Sequence, residues 1–397
     1  MEYDFDEIID RRNTNSLKYD FAAARGMPDG LLPLWVADMD FRSPPCVLSA
    51  LHGVAEHGIF GYSMPQDDWF KPTLDWFSAN FDFKIEREWI VQSPGVVCAL
   101  GAAVRAFTNE GEGVLIQRPV YYPFFQTIHM NKRRIVNSPL VLENGAYRID
   151  FEDFERKLVR ERVKLFILCS PHNPVGRVWR RDELARLGAI CQRHGCLIVS
   201  DEIHCDFVFP GHRHTMLASL SDELADGIVT CTSPSKSFNL AGLQISNIII
   251  RNKALRRKFS GEMHRAGFDE SNIFGLAACR AAYESGGDWL RALRDYLCGN
   301  LSFLRDFLRD ELPQVRLTPP EGTYLLWLDC RELGLSADAL DALIVQRAGL
   351  WLDGGTMFGE EGAGFQRINI ACPRATLKRA LHGLKRAAKS RQPQGSR

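Results

Sequence analysis

The sequence predicts an α/β protein whose larger part is a mostly parallel sheet covered by helices. Three observations lead to this fold class. Between about residue 90 and residue 250, five short β-rich apolar runs alternate with helical stretches. These runs are apolar at consecutive positions, which is typical of strands that are buried on both faces. After about residue 285, long amphipathic helices replace the alternation, which indicates a smaller α+β domain.

Five strands and the helices between them support this interpretation. The predicted strands are VLIQ at 114–117, KLFILC at 164–169, CLIVSD at 196–201, GIVTCT at 227–232 and NIIIR at 247–251. Ser93 is the expected N-cap of a helix formed by VVCALGAAVRAF, which is apolar almost all round and is therefore expected to be buried. A second helix is predicted from Arg180 to His194, where Leu184, Leu187 and Ile190 share one face and Gly195 ends the helix.

The C-terminal part has a different pattern. Its predicted elements are a long helix WLRALRDYLCGNLSFLRDFLRDEL, a strand YLLWLD, a helix SADALDALIVQRAG, a strand RINIAC and a final helix from Ala375. At about 150 residues per domain, the 397 residues allow two or three domains. We predict an N-terminal arm (1–50) that joins the small domain, a large cofactor-binding domain (51–285), the small C-terminal domain (286–390) and a disordered tail (391–397).

Composition excludes several classes of protein. Lys plus Arg and Asp plus Glu are equal at 49 each, which argues against a surface for nucleic acid or for an anionic membrane. No apolar run reaches 18 residues, and the N-terminus MEYDFDEIID is acidic where a signal peptide is basic. We therefore expect a cytoplasmic protein with no membrane and no nucleic-acid partner, acting on a small molecule.

The cysteines do not indicate disulfides or a metal. There are 11, an odd number, and none is spaced C-x-x-C, so most are interpreted as small buried hydrophobic residues. His212-Arg213-His214 has no carboxylate or cysteine at a spacing that completes a metal site, and is interpreted as a polar loop. No metal is predicted.

Unusual polar residues follow four predicted strands, at the edge where open parallel sheets bind ligands. The segments are RPVYY at 118–122, SPHNPVG at 170–176, DEIH at 201–204 and SPSK at 233–236. Asp201 can keep a heteroaromatic nitrogen protonated, Asn173 can hydrogen-bond a phenolate-type oxygen, and Tyr121 can stack on a ring. Lys236 can form an imine. These are the demands of pyridoxal 5′-phosphate (PLP).

An anion site completes this set. Gly95, Val96 and Val97 supply backbone N–H groups at a helix N-terminus, where phosphate binds readily. Ser233 and Ser235 add hydroxyls on either side of Pro234. The sequence therefore predicts that PLP is the cofactor.

The ordered motifs also resemble a known family over nearly the whole chain. SPGVV, PVY, SPHNPVG, SDEIH, SPSKSFNLAGLQ and RINIA are similar to those of fold-type I, class I/II aminotransferase-like proteins. More narrowly, LWVADMDFRSPP at 34–45, GYSMP at 61–65, the NLAGLQ motif and FGEEGAGFQRINIACP at 358–373 resemble the MalY/PatB family of carbon–sulfur lyases, which includes cystathionine β-lyases. The resemblance implies the PLP-dependent transferase fold (fold type I).

The resemblance implies a role for each matching residue. The cofactor would be held by the Schiff-base lysine Lys236, Asp201 at the ring nitrogen, Asn173 at the 3′-oxygen, Tyr121 stacked on the ring, and Val96, Val97, Ser233 and Ser235 at the phosphate. Arg367 would bind the substrate carboxylate, with Asn173 beside it, because a planar guanidinium suits a carboxylate. Tyr62 would reach the phosphate of a neighbouring subunit, which implies a homodimer that shares its active sites.

Two positions depart from the broader aminotransferase pattern. His204 stands where many relatives carry a tyrosine that touches the 3′-oxygen, so this contact of His204 with the cofactor is left open. Gln244 stands where many carry a phosphate-binding arginine. Both features recur in the lyase subgroup, and they favour elimination over transamination.

The predicted activity is α,β-elimination of cystathionine or another S-substituted L-cysteine to thiol, pyruvate and ammonia. The Lys236 amine is the expected base for the Cα proton, and either Lys236 or a tyrosine such as Tyr121 is expected to protonate the sulfur. An aminotransferase of the same fold is the alternative. A non-catalytic regulatory protein on this fold is an alternative of another class.

Other enzyme classes fit less well. The segment from Ser233 to Lys236 matches the S-x-x-K pattern of penicillin-binding serine acyl-enzymes, but the chain contains no S-D-N and no K-T-G. Gly111-Glu112-Gly113 lacks the third glycine of a dinucleotide-binding motif, and no G-x-x-x-x-G-K occurs.

Overall fold

The fold is that of a computed structural model that describes residues 3–389. The tail predicted at 391–397 lies outside the described residues. A seven-stranded sheet forms the centre of the larger part. From edge to edge its strands are Ile90–Ser93, Ser246–Ile249, Ile228–Thr232, Leu197–Asp201, Leu165–Cys169, Gly113–Ile116 and Arg134–Asn137.

Most strands of this sheet are parallel, as predicted. Only Ser246–Ile249 runs against its neighbours, pairing antiparallel with both Ile228–Thr232 and Ile90–Ser93. The remaining neighbouring pairs are parallel. The five predicted strands lie where expected, within one or two residues at each end.

Two strands of the sheet are absent from the sequence prediction. Ile90–Ser93 and Arg134–Asn137 form the two edges of the sheet. Gln92 interrupts the first strand, and the second begins with the exposed Arg134 and ends with Asn137. Edge strands need no apolar residues on both faces, so they lack the continuous apolar run by which the central strands are predicted.

Helices cover both faces of the sheet. Successive residues of a strand point to opposite faces, so each strand contributes side chains to two separate cores. Phe166 and Leu168 pack in one core, with Leu184, Leu187 and Ile190. Leu165 and Ile167 pack in another, with the buried residues of the helix Val96–Phe107. The helices of the described chain are Pro45–His57, Asp67–Phe81, Val96–Phe107, Pro123–Met130, Phe151–Arg160, Arg181–Arg193, Asp222–Ala225, Pro234–Ser237, Lys253–Arg265, Ile273–Ser285, Gly287–Glu311, Ala337–Ala342, which continues as a π-helical turn Leu343–Ala348, and Arg374–Lys389.

The predicted ends of two helices have different outcomes. Arg181–Arg193 is the helix predicted from Arg180 to His194, and Gly195 follows it with φ +62°. The prediction that Ser93 caps the helix Val96–Phe107 is wrong. Gly95 is the N-cap and no side chain caps this end; Ser93 ends a strand and its hydroxyl donates to the Gly95 carbonyl (3.1 Å).

The C-terminal part contains a second sheet. Its antiparallel strands lie in the order Arg316–Leu317, Leu325–Asp329, Phe365–Asn369 and Asp353–Gly354. A separate pair joins the two ends of the chain, because Leu32–Pro33 pairs in parallel with Leu350–Trp351. A hairpin is formed by Val141–Glu143 and Ala146–Arg148. No helix within residues 3–389 is both long and apolar enough to cross a membrane.

Candidate active site

A cavity of about 170 Å³ lies at the carboxyl ends of the central strands. It collects most of the residues that the sequence singled out, although they come from distant motifs. Those that line it are Gly95, Val96, Val97, Tyr121, Asn173, Asp201, His204, Ser233, Ser235 and Lys236. Arg367 and Tyr62 are not among the lining residues.

The sheet explains why these side chains meet. Asp201 is the last residue of its strand, Asn173 lies in the loop after Leu165–Cys169, and Ser233 directly follows Ile228–Thr232. Ser233 caps the short helix Pro234–Ser237 by accepting from the Ser235 N–H (3.1 Å). This turn carries Lys236 back over the strand ends.

The Lys236 amine is held by the N-terminal part of the chain. Its Nζ donates to the Ala37 carbonyl (2.6 Å), which also accepts from the Tyr324 hydroxyl (3.0 Å). Burial lowers the pKa of Lys236 to about 8, although the Asp38 carboxylate opposes this shift. A much larger share of the amine is therefore neutral near pH 8 than for a lysine in water.

Asp201 is a buried carboxyl with no cation in hydrogen-bonding contact among residues 3–389. Its Oδ1 accepts from the Ile203 N–H (3.2 Å), and burial raises its pKa to about 7. The imidazole of His204 is also buried, and burial lowers its pKa well below the ordinary value. Its Nδ1 has no partner in the part of the chain that the structure describes. His204 is therefore neutral at physiological pH.

Arg367 reaches this cavity through Asn173. It lies on Phe365–Asn369, and one of its terminal nitrogens, Nη1, donates to Asn173 Oδ1 (3.0 Å). The other, Nη2, donates to the Trp35 carbonyl (2.7 Å) and to the carboxylate of Asp353. The buried Nε has no partner within the described chain. Of the five N–H groups of this guanidinium, the one on Nε and one of those on Nη1 are thus left for a further acceptor.

Tyr121 packs beside Asn173. Its backbone N–H donates to the Asn173 carbonyl (3.0 Å), and its ring lies 5.4 Å from that of Tyr122 between centroids. Burial raises the pKa of Tyr121. The hydroxyl is therefore protonated throughout the physiological range.

The other end of the cavity is rich in backbone N–H groups. The helix Val96–Phe107 begins there without a side-chain cap, and the position where Gly95 would carry a Cβ is open space. The Ser233 hydroxyl already donates to the Ile245 carbonyl (2.7 Å). Because its hydrogen is engaged, the uncapped helix end and Ser235 are the available donors at this end.

Tyr62 lies apart from the other predicted residues. It is 98% exposed and belongs to the segment 58–66, which has no helix or strand. Ile59, Phe60 and Met64 of this segment are also exposed.

A buried ionic cluster anchors the segment that contains Ala37. Lys18 is fully buried, and its Nζ donates to Asp40 (2.9 Å). Arg11 bonds both Asp38 (2.6 Å) and Asp40 (2.8 Å). Such a cluster holds its members in one arrangement, since a buried charge left without its partner is costly. The Ala37 carbonyl is thereby placed where it meets Lys236.

The residues present fit PLP. The uncapped helix end suits the phosphate, and the buried Asp201 carboxyl, which lacks a cation among the described residues, suits a protonated ring nitrogen. Asn173 uses its oxygen on Arg367, which leaves its amide N–H groups as donors. The Lys236 amine lines the same cavity.

Sequence reasoning missed several residues of the site. Ala37 and Trp35 lie within a motif used only for resemblance, and Asp353 and Tyr324 belong to no motif. The prediction of a polar loop at His212-Arg213-His214 is also partly wrong, because His214 is buried. Its Nε2 lies 2.7 Å from Glu202 Oε2.

Comparisons with known proteins agree with the motifs. A family model described as aminotransferase class I and II matches residues 31–384. Cystathionine β-lyase PatB of Bacillus subtilis (strain 168) is 45% identical over 96% of this chain and 99% of its own. Protein MalY of Escherichia coli (strain K12) is 34% identical over 96% of this chain and 98% of its own.

A solved structure extends the similarity to three dimensions. The PLP-bound C–S lyase from Staphylococcus hominis is 36% identical, covers 98% of each chain and superposes with a TM-score of 0.90. The resemblance predicted from the motifs is thus confirmed, together with the fold and the PLP dependence that it implies. The chain belongs to the aminotransferase class I and II family and, within it, to the MalY/PatB group of PLP-dependent carbon–sulfur lyases.

Proposed function

We propose that the protein is a PLP-dependent carbon–sulfur β-lyase. Its substrate is L-cystathionine or another S-substituted L-cysteine, which reacts with water to give a thiol, pyruvate and ammonia. The observation that carries the proposal is the convergence of the Lys236 amine, the buried Asp201 and the Asn173–Arg367 pair on one cavity. The 45% sequence identity with cystathionine β-lyase PatB supports the choice of reaction.

Arg367 binds the substrate α-carboxylate. Its Nε–H is buried without a partner within residues 3–389, while its other nitrogens are fixed by Asn173, Trp35 and Asp353. A guanidinium held on several sides keeps its remaining N–H groups in fixed directions, so little entropy is lost when a carboxylate binds.

Lys236 and Asp201 hold the cofactor and govern the proton at Cα. Bound PLP supplies an electron sink, which makes the Cα proton acidic and allows the bond from Cβ to sulfur to break. Lys236 would hold the cofactor covalently before the substrate arrives, Asp201 would face its ring nitrogen, and Asn173 would donate to its 3′-oxygen. Once released, the Lys236 amine takes the proton from Cα, which its lowered pKa of about 8 permits.

The leaving sulfur needs a proton donor. Burial keeps the Tyr121 hydroxyl protonated, and the tyrosine lines the cavity beside Asn173. Because the raised pKa makes this hydroxyl a weak acid, Lys236, protonated once it has taken the Cα proton, gives the proton to the departing sulfur, and Tyr121 would stack on the cofactor ring. Val96, Val97 and Ser235 would hold the phosphate, with Ser233 capping the turn that carries Ser235, while His204 would lie beside the ring as a neutral imidazole.

The active unit is a homodimer. Exposed apolar side chains cluster in the segment 58–66, and Val97 at the phosphate end of the cavity is also exposed. A second copy of the chain would cover these apolar groups and bring Tyr62 to the phosphate of its neighbour.

The decisive experiment follows pyruvate and thiol release from L-cystathionine by the PLP-loaded protein. We expect the two products in equal amounts, and a loss of at least about 10³-fold in Lys236→Ala. Lys84→Ala, which changes an exposed lysine, is the matched control and should keep full activity. Catalytic formation of glutamate from added 2-oxoglutarate, without pyruvate, would instead establish an aminotransferase.

A further inference from the structure

A second cavity lies behind the guanidinium of Arg367. It has a volume of about 230 Å³, and Arg25, Trp35, Asp341, Trp351 and Asp353 are among the residues that line it. None of the residue roles proposed above uses its space. Much of its lining is apolar, but one cation and two carboxylates are also present, and an empty packing defect lacks such charged groups.

Arg25 gives this cavity its positive group. The guanidinium lies 5.0 Å from the centroid of the Trp35 ring, which stacks on Trp351 with centroids 4.5 Å apart. Arg25 forms no ion pair with a carboxylate of the described residues, and its side chain is exposed to solvent. A guanidinium held near an indole ring by this attraction keeps its N–H groups free, and two of them can bind one carboxylate.

Asp341 gives the cavity its negative group. Its Oδ1 accepts from Gln366 Nε2 (2.6 Å), and within residues 3–389 no cation pairs with it. The carboxylate packs on Gly354, where a Cβ would lie only 2.8 Å from both oxygens. Any side chain at position 354 would displace this carboxylate, so the glycine makes room for it.

The second cavity adjoins the first across a single side chain. Asp353 lines the second cavity and accepts from Arg367, which donates in turn to Asn173 in the first cavity. The ring of Trp35 lines the second cavity while its carbonyl accepts from Arg367. Arg367 and its hydrogen-bond partners therefore separate the two cavities.

We infer that the second cavity is the subsite for the leaving group of the substrate, and that it recognises a zwitterionic α-amino-acid end, with the carboxylate on Arg25 and the ammonium on Asp341. The inference rests on the proposed function. Cystathionine carries such an end two methylenes beyond its sulfur, whereas S-alkyl cysteines do not. Asp353 is already neutralised by Arg367, so Arg25 and Asp341 are the groups left to bind the two charges.

The test compares two thioethers in the PLP-loaded enzyme. Arg25→Met keeps an apolar side chain on Trp35 but removes the charge; it should lower kcat/KM for L-cystathionine about 30-fold, mainly through KM, and change that for S-propyl-L-cysteine less than about twofold. Arg25→Lys should restore most of the loss. Asp341→Asn should lower kcat/KM for L-cystathionine about tenfold. Asp338 is an exposed residue on the same helix, and Asp338→Asn should leave this kcat/KM unchanged.

A second measurement separates this inference from the proposed reaction. PLP-loaded Lys236→Ala cannot turn over, so calorimetry on it reports thioether binding alone. Adding Arg25→Met should weaken cystathionine binding about 30-fold and leave S-propyl-L-cysteine binding unchanged. Equal losses for both ligands, or no loss for cystathionine, would overturn the subsite. Absence of pyruvate from the wild-type enzyme would overturn only the reaction.

Discussion

The two walls of the active cavity are built in different ways. The cofactor wall consists of the carboxyl ends of neighbouring parallel strands, and each strand places its own residue, as with Asn173 and Asp201. The substrate wall is Arg367, which lies behind the lining residue Asn173 and is held by a backbone carbonyl at Trp35 and a carboxylate at Asp353. The first wall depends on local sequence and one sheet, whereas the second depends on contacts between segments far apart in the chain.

This difference separates the effects expected from mutation. A change on the cofactor wall removes a chemical group and leaves its neighbours in place, since the strand still positions them. A change on the substrate wall removes a support, so the effect reaches Arg367 through geometry. Three substitutions probe this contrast, from the largest expected effect to the smallest.

Asp201→Asn acts on the cofactor wall by removing a charge without changing shape. We expect kcat/KM for L-cystathionine to fall by about 10²–10³, because the amide cannot hold a proton on the ring nitrogen. Steady-state kinetics measure the fall, and the absorbance of bound PLP verifies that the variant is loaded. A loss below about tenfold would show that the cofactor wall does not rely on this charge.

In the protein freed of PLP, the same substitution should stabilise the fold. The pKa of Asp201 is raised by burial from 3.8 to about 7, so the folded state favours the protonated carboxyl. This contribution is fully present below about pH 4 and is lost as the pH rises through about 7. We expect the wild-type apoprotein to lose on the order of 2–4 kcal/mol over this range. Asp201→Asn should abolish that loss, as measured by urea unfolding at pH 5 and pH 8.

Asp353→Asn tests the substrate wall. It leaves the buried Arg367 cation without its carboxylate, which costs about 3 kcal/mol of unfolding free energy. It should also lower kcat/KM about tenfold, because Arg367 loses part of its orientation. Urea unfolding and kinetics together measure the two effects. If activity falls while stability is unchanged, Asp353 contacts the substrate directly and acts as a chemical group, as the residues of the cofactor wall do.

Tyr324→Phe should have the smallest effect. The Ala37 carbonyl loses the donor that the Tyr324 hydroxyl supplies, so we expect a loss of about 1 kcal/mol in stability and about two- to fivefold in kcat/KM. Thermal unfolding and kinetics test this, with PLP content as the control. A loss comparable to that of Asp201→Asn would place Tyr324 among the groups that touch the reacting atoms.

The same contrast explains what the sequence could predict. The central strands have continuous apolar runs, and these runs are enough to place Asn173, Asp201, Ser233 and Lys236 at one sheet edge. The two edge strands lack such runs, so local patterns do not reveal them. The motif around Ser93 predicts a cap for a helix that in fact begins after Gly95, because a local motif cannot tell which residue turns first.

The substrate wall could not be predicted from local patterns. Arg367 is identified only through resemblance to a family, and its partner Asp353 has no neighbouring signal at all. The sequence around His214 likewise has the pattern of a polar loop, although the His214 side chain is buried and contacts Glu202. Pairings of this kind are set by the folded arrangement of distant segments and not by the residues on either side.

The pairing of Leu32–Pro33 with Leu350–Trp351 has a consequence for synthesis of the protein. A nascent chain can form the parallel sheet while the ribosome is still translating the C-terminal part. The segment from Trp35 to Ala37, although made early, gains its pairing strand and Arg367 only when translation is nearly complete. Ribosome-bound chains that stop before residue 350 are therefore expected to present the cofactor wall while the segment from Trp35 to Ala37 is still undocked.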